Sequence, residues 1–554
     1  MFGTAAGASE VLSDRIRAGG DRPAVTFVSA SGDLALSYAD LDRRARGLAS
    51  RLRERGSAGD RVLLLFPPGL EFATALVGCL FAGMVAVPAP LPDHRGRLER
   101  TRAIAKDADI SFILTDSGSL PEIAGWAGRD LPGVRTLATD LVEAGDAEPA
   151  PADRSTLAIL QYTSGSTSDP KGVSISHGNL LHNTEALARA YRLGGDSVLG
   201  GWVPLYHDMG LMGHLVFPLL LGASTVLMGQ VAFLKRPHLW LELISRFGVT
   251  FSAAPNFAFE LCTRRVTDDQ LDGIDLSRWR TAVNGSEPVR APVLTAFAER
   301  FARVGFRAGA LAPSYGMAET TVFVSGTDGR PPLVRQADPA ALERLEFVPA
   351  APGGAARELV SCGAVAHGFE ARIADPDTLE VRPDGRIGEI WLRGASVSAG
   401  YWRNAAATAA VRTGDGWLRT GDLGMLLDGE LYVTGRIKET MVIRGRNIYP
   451  QDIEYEVRRH HPALSSGVGA AFTVPGDTGE ELVLTHEVRR GAADLDDLAG
   501  AVRQTVVREF GVAPRRVLLL RPGRVRRTTS GKIERATMRA LYLGGSLDQP
   551  ARPA

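Results

Sequence analysis

The chain has 554 residues, of which 45% are hydrophobic and 23% charged, and its 63 basic residues balance 63 acidic ones. That length exceeds one ordinary domain, and the hydrophobic share supports a large core. The neutral balance excludes a global pull toward nucleic acid or an anionic membrane, and three widely spaced cysteines (Cys79, Cys262, Cys362) suit neither a zinc site nor a disulfide framework.

In chain order, the first twenty residues carry no apolar core of signal-peptide type, so a reduced, cytoplasmic chain is expected. Residues 1–150 then alternate helix-like runs (YADLDRRARGLASRLRERG) with short apolar strands (RVLLLFPP, DISFILTD), the rhythm of an α/β structure with a parallel sheet. Residues 72–92 are 21 positions without a charge, long enough for a membrane span. Gly78 and Gly83 interrupt them and Pro88, Pro90 and Pro92 crowd their end. The segment therefore reads as a buried helix ending near Gly83 and a buried strand around residues 84–87, and no membrane span is expected.

A buried strand, TLAILQY (156–162), runs into QYTSGSTSDPKG (161–172). A strand followed by a Gly/Ser/Thr loop presents N–H groups and hydroxyls to an anion. The P-loop template G-x-x-x-x-G-K-[ST] fails here. Pro170 stands at its second glycine, with no N–H to donate, and Gly172 stands at its hydroxyl position. A polar turn is the alternative reading. Strands GASTVLMG and GVTFSAAP continue the alternation to about residue 320. Residues 326–357 lose the strand rhythm, with a short helix expected at 339–346. From 359 to 435 β-type segments dominate (ELVSCG, EARIADP, GEIWLRG, GELYVTG), and a smaller α/β unit follows from about 438.

Lysine usage is informative. The chain holds five lysines (Lys106, Lys171, Lys235, Lys438, Lys532) against 58 arginines. A retained lysine marks a site for a compact ammonium, or is residual codon usage.

The motif YTSGSTSDPKGVSISHGN (162–179) closely resembles the phosphate-loop signature of adenylate-forming enzymes, and further motifs follow in that family's order. The resemblance implies an α/β fold. It has a large N-terminal domain of parallel-sheet layers plus a β-rich subdomain (1–437), and a small mobile C-terminal α/β domain (438–554). It implies ATP as substrate and Mg²⁺ on its phosphates. In the phosphate loop it assigns Thr163, Ser164, Gly165, Ser166, Thr167 and Lys171 to ATP. VNGSEPVR (283–290) places Gly285, Ser286 and Glu287 in an adenine-pocket turn, although a helix start capped by Ser286 explains that stretch equally well. PSYGMAET (313–320) supplies Ser314, Tyr315, Gly316 and Met317 for the nucleotide. It also supplies Glu319, the carboxylate for the cation. WLRTGDLG (417–424) supplies Asp422 for the ribose hydroxyls. GRIKETMVIRGRNIYPQDIE (435–454) supplies Arg436 as a nucleotide contact and Lys438 as the hinge. RRTTSGKIER (526–535) supplies Lys532, catalytic in adenylation; its local alternative is a solvated basic run.

Within that family the wording WVPLYHDMGLMG (202–213) closely resembles fatty acyl-AMP ligases, as do residues 233–262, 279–290 and 444–454. The resemblance adds His207 to the catalytic residues, at the substrate end, and suggests an acyl pocket of His207, Met209, Gly210 and Phe257. About 40 residues separate Glu319 from VSCG, where CoA-using relatives have fewer. In these ligases an insertion at this place, here about 326–357, is associated with restricted domain motion and loss of CoA use. The expected function is ATP-dependent activation of a fatty acid to acyl-adenylate, then transfer to the phosphopantetheine thiol of an acyl carrier protein in trans. An acyl-CoA ligase and a non-catalytic adenylate-binding scaffold are the alternatives. The tail LYLGGSLDQP resembles a carrier's modification site, but too few residues follow Ser546 for a carrier domain.

Overall fold

The computed structural model describes residues 2, 7–92, 97–163, 170–476, 479–489, 494–528 and 531–547. Two large sheets dominate. The first has six strands in the order Arg135–Ala138, Phe112–Thr115, Arg61–Leu64, Val85–Pro88, Leu157–Tyr162, Gly172–Ser176. All neighbours are parallel except the last pair. The second has nine strands, with a parallel centre of Leu311–Tyr315, Thr281–Gly285, Phe251–Pro255, Val198–Gly201, Ser224–Met228 and Pro23–Ser29. Parallel strands covered on both faces read as unbroken apolar runs, which is why LAILQY and STVLM were legible.

Local chemistry sets the helices between them. Tyr38–Arg53 starts on a reciprocal cap between Ser37 and Asp40, and His177–Tyr191 on one between Ser176 and Asn179. Residues 72–92 form the buried helix Glu71–Phe81, a left-handed turn at Gly83 (φ 72°), and the buried strand Val85–Pro88. Among the described residues no helix is long and apolar enough to cross a membrane.

A four-stranded antiparallel meander follows: Phe369–Ala374, Gly388–Gly394, Leu418–Leu427 and Glu430–Arg436. Residues 326–357 feed into it. Val334–Ala337 pairs with Arg357–Val360, and Asp338 caps a helix at Pro339–Glu343. That helix is shorter than the 339–346 expected. Leu345 turns left-handed (φ 59°), and Phe347 N–H then bonds Gly385 O. Residues from Met441 on build cores of their own, one around Ile453, Val457, Leu484 and Val502, another around Phe472, Leu520 and Met538. Cys79, Cys262 and Cys362 are buried and unpaired.

Candidate active site

Parallel α/β sheets present their ligand sites at the carboxyl ends of their strands. Both large sheets do so here. Leu157–Tyr162 ends at the glycine-rich loop, and Thr281–Gly285 and Leu311–Tyr315 end at two further motifs.

At the loop, Ser164, Gly165, Ser166 and Thr167 lie outside the described residues. Thr163 N–H reaches Lys171 O at 3.4 Å, and Thr163 O accepts from Arg100 Nη2 at 2.5 Å. The Lys171 ammonium lies 5.3 Å from the ring centre of Tyr401. Gly172 is a close-approach glycine: a Cβ there would sit 2.9 Å from Tyr162 Cζ. Its O accepts from Trp402 N–H. Space for the Tyr162 ring therefore accounts for a glycine where a P-loop has a hydroxyl.

The turn 285–287 is not a capped helix start. Ser286 is exposed and left-handed (φ 65°), and the next helix, Ala291–Phe301, begins after Arg290 with no side-chain cap. A β-turn side chain held at positive φ stores strain of order 1–3 kcal/mol, typical of a ligand-shaping turn. Glu287 Oε1 accepts from Phe257 N–H at 2.6 Å. Partial burial raises its pKa, opposed by that N–H and by Lys532.

Tyr315 Oη donates to Asp422 Oδ2 at 2.8 Å, and Asp422 Oδ1 pairs with Arg436 Nε at 2.9 Å. This chain joins the nucleotide motif at 313–320 to the meander. Asp422 raises the pKa of the half-exposed Arg436 guanidinium; burial, then Asp422, raises that of Tyr315. Gly316 admits no side chain, since a Cβ would fall 1.6 Å from Val322 O, and Met317 Sδ lies 3.9 Å from Tyr315 Oη. Beyond it, Thr321 adopts φ 73°, ψ −60°, a strained γ-turn for a β-branched residue, held by its hydroxyl on Ser396 O. This turn presents Glu319. Glu319 Oε1 accepts from Tyr401 Oη at 2.7 Å, and its pKa is raised by burial against the pull of Tyr401 and Arg436.

Lys532 arrives from the other side, on the hairpin where Arg527 bridges Ile533. It lies within electrostatic reach of Arg436, Asp208, Asp422 and Glu287. Burial, then Arg436, lowers its pKa, while the three carboxylates raise it. Five motifs spread from residue 208 to residue 532 thus meet. The small domain is held there by further pairs. Arg290 and Arg357 both bind Asp452, at 2.9 and 2.6 Å, and Arg458 binds Glu260 at 2.8 Å. Lys438 is exposed on the short turn Ile437–Glu439 between the two parts.

A narrow cavity opens beside Gly285, Ser286 and Tyr315 and continues past Met209, Val283 and Ala253 to Phe251. Of the four residues expected at an acyl pocket, Met209 lines it and three do not. Phe257, in the first turn of the helix Asn256–Arg265, sets its ring edge-on to Trp202 at 5.9 Å, in the neighbouring core. His207 precedes the short helix Asp208–Leu211, its ring tilted on Tyr206. Gly210 packs under Pro204 O, 2.3 Å from where a Cβ would stand.

The sequence pattern of the AMP-binding enzymes matches residues 12–402. The chain belongs to that family. Within it, it is a fatty acyl-AMP ligase. The chain is 41% identical to the medium-chain-fatty-acid–[acyl-carrier-protein] ligase JamA of Moorena producens, across 93% of this chain and 91% of JamA. It is 38% identical to 4-hydroxyphenylalkanoate adenylyltransferase of Mycobacterium tuberculosis, across 94% and 89%. It superposes on a fatty acyl-adenylate ligase from a study of E. coli and L. pneumophila enzymes with TM-score 0.89 and 33% identity, covering 98% of each chain.

Three residues of this AMP-binding enzyme's site escaped sequence reading. Tyr401, in SAGYWRN, bridges Glu319 and Lys171, but nothing in that segment singles out its tyrosine as a site residue. Asp208 was visible but unassigned; its charge lies near both Glu319 and Lys532. Tyr191 looks like any core aromatic, but its Oη lies 2.5 Å from Ser314 Oγ.

Proposed function

We propose that this enzyme activates a fatty acid with ATP to an acyl-adenylate and passes the acyl group to the phosphopantetheine thiol of a carrier protein. The observation that carries the reading is the meeting of Lys532 with Asp208, Glu287, Asp422 and Arg436 at the mouth of an apolar cavity. In the first step a carboxylate oxygen attacks the α-phosphorus of ATP. The P–O bond to pyrophosphate breaks as the new one forms. Lys532 is placed to stabilise negative charge on the phosphate oxygens, and Asp422 is suited to accept the ribose hydroxyls. Among the described residues no cluster of His, Cys, Asp or Glu would hold a metal alone. A Mg²⁺ that keeps phosphate ligands and takes one carboxylate fits Glu319, and would supply charge neutralisation there. In the second step the thiol sulfur attacks the acyl carbon, the thiol proton is lost and AMP leaves.

Support for a carrier rather than CoA comes from residues 326–357. Glu343, at the end of their helix, accepts two hydrogen bonds from Arg446 (2.6 and 2.7 Å), and its carbonyl accepts from Asn447. This ties the segment to the small domain and limits rotation about Lys438. The test is acid-dependent pyrophosphate release, followed by thioester analysis with either CoA or a holo-carrier. The expected product is acyl-carrier. Efficient CoA thioester formation without a carrier would overturn the choice of acceptor, and absence of pyrophosphate release with any acid would overturn the activity.

A further inference from the structure

The cavity beside the nucleotide motifs has a blind end. Residues of two adjacent strands line it: Phe251 and Ala253 of one, Val283 and Gly285 of the other. Ala253 pairs with Val283 and Pro255 with Gly285, so Phe251 lies four residues below the strand ends. At about 3.3 Å per residue that is a depth of roughly 13 Å.

Phe251 forms the floor, and the rings of Tyr191 and Phe323, anchored near the strand ends through Ser314 and Tyr315, stand along one side above it. Tyr191 sits 5.8 Å from Phe251 and 5.4 Å from Phe323, ring centre to ring centre. All three are at most 4% exposed, so no opening to solvent lies behind them. The wall is also fixed. Ser314 Oγ–H is given to Ala312 O, so Tyr191 Oη–H is the donor in its 2.5 Å bond to Ser314. Gly326 leaves the room for that phenol, since a Cβ there would stand 1.9 Å from Tyr191 Oη. Asn183, on the same helix as Tyr191, holds Phe323 by both its N–H and its carbonyl, at 3.0 and 2.8 Å.

We propose that the Tyr191–Phe251–Phe323 wall is the chain-length gauge of this enzyme, restricting it to medium-chain acids. With C–C bonds of about 1.52 Å, an extended chain advances roughly 1.25 Å per carbon, so the depth takes a chain on the order of ten carbons. The inference rests on the fatty-acid reading above.

The test is kcat/KM for pyrophosphate release across saturated acids from six to eighteen carbons, for the full chain and its variants. The wild type should peak near ten carbons and fall steeply beyond. In Tyr191→Ala and Phe251→Ala the ratio of kcat/KM for a fourteen-carbon over an eight-carbon acid should rise about tenfold or more, because added methylenes gain room. Leu187→Trp, which fills the same cavity from the helix side, should lower that ratio and carries the test if the alanine variants do not fold. A wild type that prefers sixteen carbons, or variants that keep its profile while still binding ATP, would overturn the gauge. A wild type that uses no fatty acid at all would instead overturn the reading beneath it.

Discussion

Tyr401 touches an anionic and a cationic group at once, bonding Glu319 through its hydroxyl and lying beneath the Lys171 ammonium. Its hydroxyl favours the charged form of Glu319. Tyr401→Phe keeps the ring and removes the bond, so the Glu319 carboxyl should protonate at higher pH. The acid limb of the kcat/KM profile should move up in pH, and the Mg²⁺ requirement should rise roughly tenfold, the equivalent of one charged hydrogen bond. An acid limb that stays put would refute the positioning role. At Lys532, replacement by Ala should cut pyrophosphate release by roughly a hundredfold or more. Lys532→Arg should not restore it, because a planar guanidinium cannot replace a compact ammonium among Asp208, Asp422 and Glu287. Near-wild-type release by either variant would return Lys532 to the solvated basic run that its sequence also allows.

At the scale of elements, the helix Pro339–Glu343 and the hairpin Met441–Ile443/Arg446–Ile448 form one joint. Both charged partners are partly exposed, so the pair contributes little to global stability, about 1 kcal/mol or less. On the proposed function, its effect is on the position of the small domain. Arg446→Ala should therefore leave the melting temperature within a few degrees of wild type, yet speed proteolytic cleavage near residues 437–440 and raise CoA thioester formation. Unchanged cleavage and unchanged acceptor choice would show that the joint does not restrain the domain. The sequence reading placed a short helix here but ran it to 346. Its true end depends on the left-handed Leu345 and on pairing with Gly385 forty residues on, which no local pattern contains.

At the scale of the molecule, three histidines among the described residues are buried: His177, His214 and His486. Burial holds their pKa values down, to about 4, about 3 and about 4. His214 Nε2 accepts from Ala253 N–H, so its Nδ1 carries the proton, and no partner for that proton exists among the described residues. The unfolded chain takes up protons on these rings first as pH falls from 6.5. Their stabilising contribution is therefore complete above about pH 6.5 and is lost progressively toward pH 4 and below. Between about pH 6.5 and about pH 5, above the range where ordinary carboxylates titrate, the denaturation midpoint should fall by the equivalent of a few kcal/mol. His214→Gln should flatten that slope. A midpoint constant over the interval would contradict neutral burial of these rings.

The chain by itself determined its layers and its family, and it marked the motifs that serve as candidate nucleotide contacts. Those signals are contiguous: a buried parallel strand is an apolar run, and a backbone turn that grips an anion needs its glycines and hydroxyls side by side. Only the tertiary structure decided what shares a wall. The cavity draws Tyr191 from a helix, Phe251 and Val283 from two strands and Phe323 from a turn, and each is an ordinary core residue in its own segment. The same limit misplaced Phe257, whose ring joins the neighbouring core beside Trp202. It also hid Tyr401, which acts through groups 82 and 230 residues away in the chain. Apolar burial carries no label for the cavity it faces; that is written only in how distant segments pack together.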